Sequence, residues 1–454
     1  MTEATPHAQS IRWMAVKGIS TGWPTGQEGH AEFSGMDTVK RQDMAAFLHR
    51  LAKHMGNEGT AVRDVTFSDV DPSTPHYEDI VWMAQTGVST GWDNGDGTAS
   101  FRGMDTVRRQ DAAAFLYRVA DLQDDGLANG SLRDGPKDIT FADFDYADAG
   151  LHGPEVRWMA TNGISEGWEE ADGSRTFRGM SEIVRQDMAA LIQREYDHVL
   201  GVPLSECEAV LYSDGELVFQ RAGTGAEAGR EVVAIGDWYG QDSDYYWHTD
   251  TFRPHRYEVR RVSSRGRVRA DEGLEGYFSG CENLTDISGL ADWDVSGVTD
   301  MSSTFQGCSS LADLSPLSAW DVSGVTDMEG VFSYCYYLKD LSPLSGWDVS
   351  GVRNLSSAFY CCFSLKDLSP LSDWDVSGVT DMHRAFWGCI LTDLSPLSRW
   401  DVSGVTNMSE AFRECRSLAD ASPLEGWKVG PGANKYSMFY GTRVTSYPSW
   451  YRGY

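Results

Sequence analysis

The carboxyl-terminal part of the chain repeats itself every 27 residues, and this period constrains the fold more than any other feature. The block Trp-Asp-Val-Ser-Gly-Val begins at Trp293, Trp320, Trp347, Trp374 and Trp400, with a weaker copy at Trp427. A Phe-x-x-Cys pair keeps the same spacing. Periods of about 20 to 50 residues are typical of stacked coils, each of which buries its apolar face only against its neighbours. The repeat therefore predicts a solenoid over residues 274–442.

Charge and composition narrow the range of partners. The 454 residues carry a formal net charge of −29, which disfavours nucleic acid because its phosphates require clustered Lys and Arg. No apolar run is long enough for a membrane span. No signal peptide is visible at the amino terminus. A multidomain α+β protein without a membrane span is predicted.

Cysteine usage is concentrated in the array. Seven of the eight cysteines lie there, and six of them keep its period. Neighbouring coils lie about 5 Å apart, so disulfides between coils are possible by distance. Burial of each Cys as a small apolar residue is the favoured interpretation. No Cys-x-x-Cys pair is present, and we expect no metal site and no cofactor.

A second repeat of three copies occupies the first 200 residues. Each copy contains Trp-Met-Ala, then Gly-(Ile/Val)-Ser-x-Gly-Trp, Phe-x-Gly-Met, and finally Arg-Gln-Asp before an Ala-rich apolar run. In the second copy, apolar spacing predicts a helix that ends at Gly87 and another over Val107 to Ala120, with Asp111 in its first turn. Each copy is predicted to be helix, Gly-rich loop, helix, over residues 10–57, 63–125 and 139–200.

The second and third copies are preceded by Thr-Phe-(Ser/Ala)-Asp, which ends at Asp69 and Asp143. The first copy begins too late to contain this lead-in, so we expect the natural amino terminus to lie upstream. The Asp93 to Gly97 loop is rich in acids, but its spacing does not match a calcium loop and favours a turn.

Residues 201–273 belong to neither repeat. Short apolar runs broken by Ser-Asp-Gly and Gly-Thr-Gly predict strands and turns. An array needs a cap where its last coil would expose apolar surface, and this β-rich segment is assigned that role. Seven Arg between Arg253 and Arg269 are expected to pair with the acidic array rather than with a polyanion. Residues 443–454 are predicted to cap the other end.

The three amino-terminal copies resemble the S-layer homology domain. That family's helix-opening Thr-Arg-Ala-Glu corresponds here to Lys40-Arg41-Gln42-Asp43, Arg108-Arg109-Gln110-Asp111 and Val184-Arg185-Gln186-Asp187, in which the Arg and the acid persist. The resemblance implies a three-unit helical bundle whose grooves bind cell-wall polysaccharide. The groove residues that it implies are Arg41, Asp69, Arg109, Asp143 and Arg185.

The array resembles the BspA-like leucine-rich repeats of bacterial surface proteins. The family pattern is matched by Val325-Thr326-Asp327-Met328, followed by Phe332, Cys335, Leu338 and Leu341. The resemblance implies an adhesin-type surface for a protein or glycan ligand.

Two ladders of repeated residues could carry function. The residues Trp293, Trp320, Trp347, Trp374 and Trp400 either form an exposed aromatic strip that contacts a ligand or pack within their own coils, and packing is favoured. The Asp residues that follow Trp or precede Met either share cations or accept backbone N–H bonds in turns, and turns are favoured.

No catalytic motif stands out: Gly-x-Ser-x-Gly, His-Glu-x-x-His and a phosphate-binding loop are all missing from the sequence. Together with the two resemblances, this leads us to expect a non-catalytic bacterial cell-surface protein, located outside the cell at the cell wall or cell surface. In this hypothesis the first 200 residues attach to wall polysaccharide and the solenoid presents a ligand-binding surface. The alternatives are a surface scaffold without wall binding and a secreted carbohydrate-active enzyme.

Overall fold

The computed structural model describes residues 5–25, 31–60, 63, 65–123, 139–148, 152–238, 249, 251–270 and 273–452. Parts of the predicted segments lie outside these ranges, namely 26–30 of the first helical copy, 64 and 124–125 of the second, 149–151 of the third, 239–248, 250 and 271–272 of the β-rich cap, and 453–454 of the terminal cap. The chain divides into two compact units, Met1–Leu200 and Gly201–Tyr454. Among the described residues, no helix combines the length and the apolar character that crossing a membrane requires.

The first unit contains three copies of a helix, a short hairpin and a second helix. The helices are α1 (Ala8–Val16), α2 (Arg41–His54), α3 (Tyr77–Thr86), α4 (Arg109–Gln123), α5 (Gly153–Thr161) and α6 (Arg185–Leu200). The antiparallel hairpins join β1 (Trp23–Pro24) to β2 (Ala31–Glu32), β3 (Trp92–Asp93) to β4 (Ala99–Ser100), and β5 (Trp168–Glu169) to β6 (Arg175–Thr176). The predicted left-handed end of α3 is confirmed, since Gly87 has a φ of +82°. The helix predicted from Val107 begins at Arg109.

The three copies form a closed cycle. Each second helix packs on the first helix of the next copy: α2 on α3, α4 on α5, and α6 on α1. The second helices also contact one another, and equivalent residues Leu48, Leu116 and Ile192 are fully buried in one apolar cluster. Antiparallel bridges just ahead of these helices join Thr38 to Val184, Lys40 to Thr106 and Arg108 to Glu182. Every copy therefore depends on both of the others for its burial.

Strands begin the second unit, as the sequence predicts. They are β7 (Val202–Pro203), β8 (Cys207–Tyr212), β9 (Glu216–Arg221), β10 (Val232–Gly236), β11 (Arg261–Ser264) and β12 (Val268–Arg269). Four of them form a sheet in the order β10-β8-β9-β11, in which β11 runs parallel to β9, and β12 pairs with β7. The ring of Phe219 lies 5.3 Å from that of Trp293 and 6.2 Å from that of Phe278, between centroids. The sheet thus covers apolar side chains of the first coil.

Each coil adds one 3-10 turn to the stack. These turns are Ser288–Leu290, Ser315–Leu317, Ser342–Leu344, Ser369–Leu371, Ser395–Leu397 and Ser422–Gly426. Neighbouring coils are joined by parallel bridges, such as Asp300 to Asp327 and Asp327 to Asn354. The array as described, 273–452, contains only such bridges and no longer strand.

A ladder of Phe rings and cysteines fills the coils. From Phe278 to Phe439, successive rings stack with centroids 5.5–5.8 Å apart. All eight cysteines are among the described residues, are buried, and form no disulfide there. The Sγ of Cys335, for example, donates to the carbonyl of Phe305 in the preceding coil at 3.3 Å. The interpretation of these cysteines as buried apolar residues is confirmed.

The repeated Trp residues pack in the interior, so an exposed strip built from them is wrong. The side chains of Trp293, Trp320, Trp347, Trp374 and Trp400 belong to residues that are only 3–5% exposed. From Trp320 onward, each indole Nε1 donates to a Leu carbonyl of the preceding coil, as in Trp347 to Leu317 at 3.0 Å. Burial satisfies both the ring and its polar atom, which leaves neither for a ligand. Trp450 extends this ladder: it stacks on Trp427 and donates to Leu424 at 2.9 Å.

The repeated Asp residues accept hydrogen bonds within turns, which confirms the favoured interpretation. The carboxylate of Asp348 accepts the backbone N–H of Ser350 at 3.0 Å, and Asp327 accepts that of Glu329 at 2.8 Å. The arginines between 253 and 269 differ from expectation, because they pair mainly within the cap. Arg261 contacts Asp214 and Glu216, whereas Arg267 reaches Asp294 of the array at 3.8 Å.

Candidate binding sites

Three equivalent clusters of polar and aromatic side chains lie where the amino-terminal copies meet. Each combines an Arg from one copy, a Ser, a Trp and an Asp from the next copy, and a His from the third. The first cluster is Ser20, Trp23, Asp43, His76 and Arg185; the second is Arg41, Ser89, Trp92, Asp111 and His152; the third is His7, Arg109, Ser165, Trp168 and Asp187.

The predicted residues Arg41, Arg109 and Arg185 occupy the same place in the three clusters. Each guanidinium carbon lies 4.0–4.1 Å from the centroid of its Trp ring, within the range of a cation–π contact. Each Nε donates to the carbonyl of a hairpin Phe, at 2.9 Å for Arg41, 3.2 Å for Arg109 and 3.1 Å for Arg185. These three arginines are only 5–6% exposed. They are thus fixed by packing before any ligand arrives.

Buried charge in the clusters is balanced by a carboxylate. Arg109 approaches Asp187 at 3.5 Å, and Arg185 approaches Asp43 at 3.4 Å. Burial lowers the pKa of Arg41 and Arg109 to about 10, with nearby carboxylates opposing that shift. Because this pKa stays far above neutrality, both side chains remain cationic.

The second and third clusters carry an additional cation. Arg102 lies 4.9 Å from the Trp92 ring, and Arg178 lies 4.7 Å from the Trp168 ring. Both residues have a positive φ of 56° at the turn after the hairpin. The first copy has Ser34 at this turn, also with a positive φ. The three clusters therefore share their architecture but differ in arginine content, and Arg178 also pairs with Glu170 at 2.9 Å.

The predicted groove residues Asp69 and Asp143 have a different role, because they brace the hairpins. The carboxylate of Asp69 accepts the backbone N–H groups of Phe101 and Arg102, both at 2.7 Å. Asp143 holds Phe177 and Arg178 in the same way, at 2.7 and 2.8 Å. Since these carboxylates already accept two donors, their effect on a ligand acts through the hairpin that they hold.

Sequence reasoning missed the carboxylates and histidines of the clusters. Asp43, Asp111 and Asp187 end the Arg-Gln-Asp motif, and each lies 3.7–3.9 Å from a His of another copy. The three histidines precede the first helices with φ of 56–62°. A signal existed, because His7, His76 and His152 each lie four residues before a buried Ile or Val. Desolvation lowers the pKa of His7, and Asp187 opposes this.

The third cluster opens into a cavity of about 300 Å³ lined by His7, Arg109, Ser165, Trp168, Asp187 and Arg194, among others. Its lining combines guanidinium donors, a hydroxyl and an aromatic ring. Guanidinium and hydroxyl donors of this kind pair with hydroxyl and acidic groups in general. No group of three or more His, Cys, Asp or Glu is arranged to hold a metal ion within the ranges described above.

A second candidate surface lies on the array, at repeat positions whose residue type changes from coil to coil. We name it the aromatic patch, and its residues are Tyr334, Tyr336, Tyr337, Tyr360, Phe363 and Trp387. Tyr337 is 64% exposed, and Phe363 is 49% exposed. The rings of Tyr336 and Phe363 stack at 5.2 Å, and those of Tyr360 and Trp387 at 4.8 Å. The patch spans three adjacent coils.

Comparison with known proteins concerns mainly the array. The family model described as "Mycoplasma protein of unknown function, DUF285" matches residues 272–370 and 366–449. Two leucine-rich repeat protein structures are also matched at 14% identity. The protein from Bacteroides ovatus ATCC 8483 has a TM-score of 0.18, with 51% of this chain and 67% of that chain covered. The protein from Eubacterium ventriosum ATCC 27560 has a TM-score of 0.17, with 54% and 95% covered.

A search of curated proteins finds none that matches significantly. The family match supports the resemblance of the carboxyl-terminal array to BspA-like repeats.

Proposed function

We propose that this protein is a non-catalytic bacterial cell-surface protein whose amino-terminal unit attaches to cell-wall polysaccharide. In this proposal the three Arg–Trp clusters are the attachment sites, and the array presents a surface for another ligand. The observation that carries the proposal is the threefold recurrence of one polar arrangement, each time assembled from three different copies of the repeat.

Packing alone does not account for these clusters. A buried arginine costs desolvation free energy that an apolar residue would avoid. Here that cost is incurred three times, at Arg41, Arg109 and Arg185. Retention of three such sites favours a polyvalent ligand, since several weak contacts on one polymer add up to firm attachment. The additional Arg102 and Arg178 favour a glycan with carboxylate or phosphate groups.

The proposal is tested by co-sedimentation of the full chain with purified cell-wall material, before and after chemical removal of the wall polysaccharide. The informative variant is Arg102→Gln combined with Arg178→Gln. Both side chains lie on Trp rings, and the Arg178 side chain is 46% exposed, so the fold should survive their replacement. We expect wild-type protein to be retained only while the polysaccharide is present, and the double variant to be retained weakly through the first cluster.

The matched control is Arg12→Gln combined with Arg157→Gln. These exposed arginines occupy equivalent positions on α1 and α5. Their replacement removes the same amount of charge as replacement of Arg102 and Arg178. Retention equal to wild type is expected for the control. Failure of the wild type to bind, or equal losses in both double variants, would contradict specific attachment through the clusters.

A further inference from the structure

The aromatic patch is not required for folding of the array. The positions of Tyr336 and Tyr337 are occupied by Ser309 and Ser310 in an earlier coil. The position of Trp387 is Gln306 in that coil and Arg413 in a later one. These coils nonetheless keep the same Phe stacking and the same backbone bonds. The aromatic side chains therefore serve something other than the stack itself.

Tyr334 enters the patch from a left-handed backbone position that recurs along the array. Tyr334 has a φ of +62°, at a position that Gly280, Gly307 and Gly388 occupy with φ of 73–77° in other coils. A side chain in this left-handed region is strained, which is why glycine is favoured there. Tyrosine at this position places one more ring beside Tyr360, at 5.1 Å between centroids. Cys361 and Glu414 occupy the equivalent position with φ of 58° and 59°, so this conformation belongs to the coil and does not by itself mark a binding site.

Ring orientation argues against a sugar ligand for the patch. Tyr336 and Phe363 are stacked within 11° of parallel, and Tyr360 and Trp387 within 21°. Each ring of these pairs has one face covered by its partner. Tyr hydroxyls, ring edges and the exposed Tyr337 are what the surface offers, and this combination is common in protein recognition surfaces.

Charge indicates which proteins fit. Residues 274–442 contain 22 Asp and Glu but only 9 Lys and Arg. Beside the patch, Arg384 is paired with Glu410 at 2.8 Å, and Arg416 with Glu414 at 3.0 Å. On the other side, exposed Glu282 precedes Ser309 and Tyr336 in the same row of the stack. Arg413 also reaches Glu410, at 3.4 Å, so the ion pairs on the Arg384 side add no negative charge. The negative charge belongs to the array as a whole, which attracts cations and opposes binding of a second copy of this chain.

We propose that the aromatic patch is a docking surface for a protein segment that presents arginine or lysine side chains among apolar ones. Guanidinium groups can stack on the exposed ring of Tyr337 and donate to phenolic oxygens, and the net negative charge of the array supplies long-range attraction. This inference rests on the proposed function in one respect, since it names the class of partner that the array would hold at the cell surface.

The test uses the full chain and a random-peptide display library. Selection is carried out on wild-type protein and on a variant with Tyr336→Ser and Tyr337→Ser, which restores residues that the array already carries at Ser309 and Ser310. We expect Arg- or Lys-containing peptides to be enriched on wild type only. A synthetic peptide of the enriched sequence should bind the variant at least about tenfold more weakly, as for loss of hot-spot tyrosines. Its affinity should fall as salt is raised.

Tyr436→Ser is the matched control, because Tyr436 is 59% exposed but lies outside the patch. This control should bind the peptide like wild type. Enrichment of neutral or acidic peptides, the absence of any enrichment, or equal binding by the double variant would overturn the proposal. Self-association of the wild type that the double variant abolishes would also overturn it, in favour of a homotypic surface.

Wall co-sedimentation separates this inference from the proposed function. The Tyr336→Ser, Tyr337→Ser variant should still be retained by the wall. Selective peptide binding without wall retention would leave the patch assignment standing while the attachment proposal fails. Wall retention without selective peptide binding would support the attachment proposal, and the assignment of the patch would fail.

Discussion

The two units use repetition in opposite ways. In the first unit the repeated Arg, Trp and Asp residues come together in three clusters with polar groups near the surface, whereas the apolar core lies between the helices. In the array the repeated Phe, Cys and Trp residues are all buried. The aromatic patch is built at positions whose residue type changes from coil to coil. A repeated polar or charged residue therefore marks a candidate site in the closed cycle of three copies, whereas a repeated aromatic residue or Cys marks the core of the open stack.

The largest expected effect tests the array side of this contrast. Phe359 stacks between Phe332 and Phe386, at 5.8 and 5.6 Å, and is 1% exposed. Phe359→Ala should lower the free energy of unfolding of the array by about 3–5 kcal/mol, because it leaves a cavity in the ladder. Urea unfolding followed by circular dichroism measures this change. Phe363→Ser, at an exposed position, should change it by less than about 1 kcal/mol. Equal costs for both variants would remove the distinction between repeated and unrepeated positions.

The next effect concerns the hairpins of the first unit. Asp69→Ala removes the acceptor of two backbone N–H groups and should destabilise this unit by roughly 1.5–3 kcal/mol, the range for hydrogen bonds to charged groups. Thermal unfolding detects this loss. Asp71→Ala is a suitable control, because that exposed Asp bonds only within its own loop. A control variant as unstable as Asp69→Ala would show that the brace has no special role.

Glu195 breaks the regularity of the first unit and gives a pH-dependent prediction. It is fully buried on α6, where equivalent copies have Leu51 and Val119, and neither of its oxygens has a hydrogen-bond partner in the described part of the chain. Burial raises the pKa of Glu195 well above its usual value. The folded state thus keeps a proton that the unfolded chain releases near pH 4.5. Below that pH Glu195 is protonated in both the folded and the unfolded state, so its titration costs no stability. Above it, the free energy of unfolding falls as the pH rises.

Glu195→Leu should therefore stabilise the protein at neutral pH, by about 1–3 kcal/mol for removal of a buried unsatisfied group. The measurement is the melting temperature of wild type and variant between about pH 4 and pH 8. This range begins near the pKa of a Glu side chain in the unfolded chain. The difference between the two proteins should grow with pH. A constant difference would mean that Glu195 does not titrate on unfolding.

The smallest effect belongs to the turns of the array. Asp348→Ala removes one exposed acceptor of the Ser350 N–H and should cost about 0.5–1.5 kcal/mol. Asp348→Asn keeps an acceptor at this position and serves as the comparison in urea unfolding. A larger loss for Asn than for Ala would contradict the turn role and favour a role for the negative charge.

Periodicity made much of this architecture predictable. The spacing of Phe332 and Cys335 predicts burial in every coil, because a stack needs an apolar residue at each equivalent position. The direction of the Trp rings was not predictable, since an exposed strip and a buried ladder have the same period. Only the hydrogen bond from Trp347 to the preceding coil decides between them.

The composition of the three clusters could not be predicted, because the sequence does not show which copies pack against each other. Arg41 and Asp111 lie in similar motifs, but their proximity depends on the cyclic packing of α2 on α3. The histidines were visible at a constant spacing, and only this packing brings His76 towards Asp43. The aromatic patch was not predicted for another reason. Its positions are aromatic in only some coils, as at Tyr337, where the preceding coil has Ser310.

The indole–carbonyl bonds of the array have an evolutionary consequence. Each coil offers a carbonyl to the coil after it and receives an indole N–H in return, so the two surfaces of every coil are complementary to its own kind. Unequal recombination between genes that encode such coils can insert or delete one without creating a mismatched junction. Gain or loss of a coil would therefore leave each junction matched, with the terminal sheet still covering the first coil and Trp450 still continuing the Trp ladder.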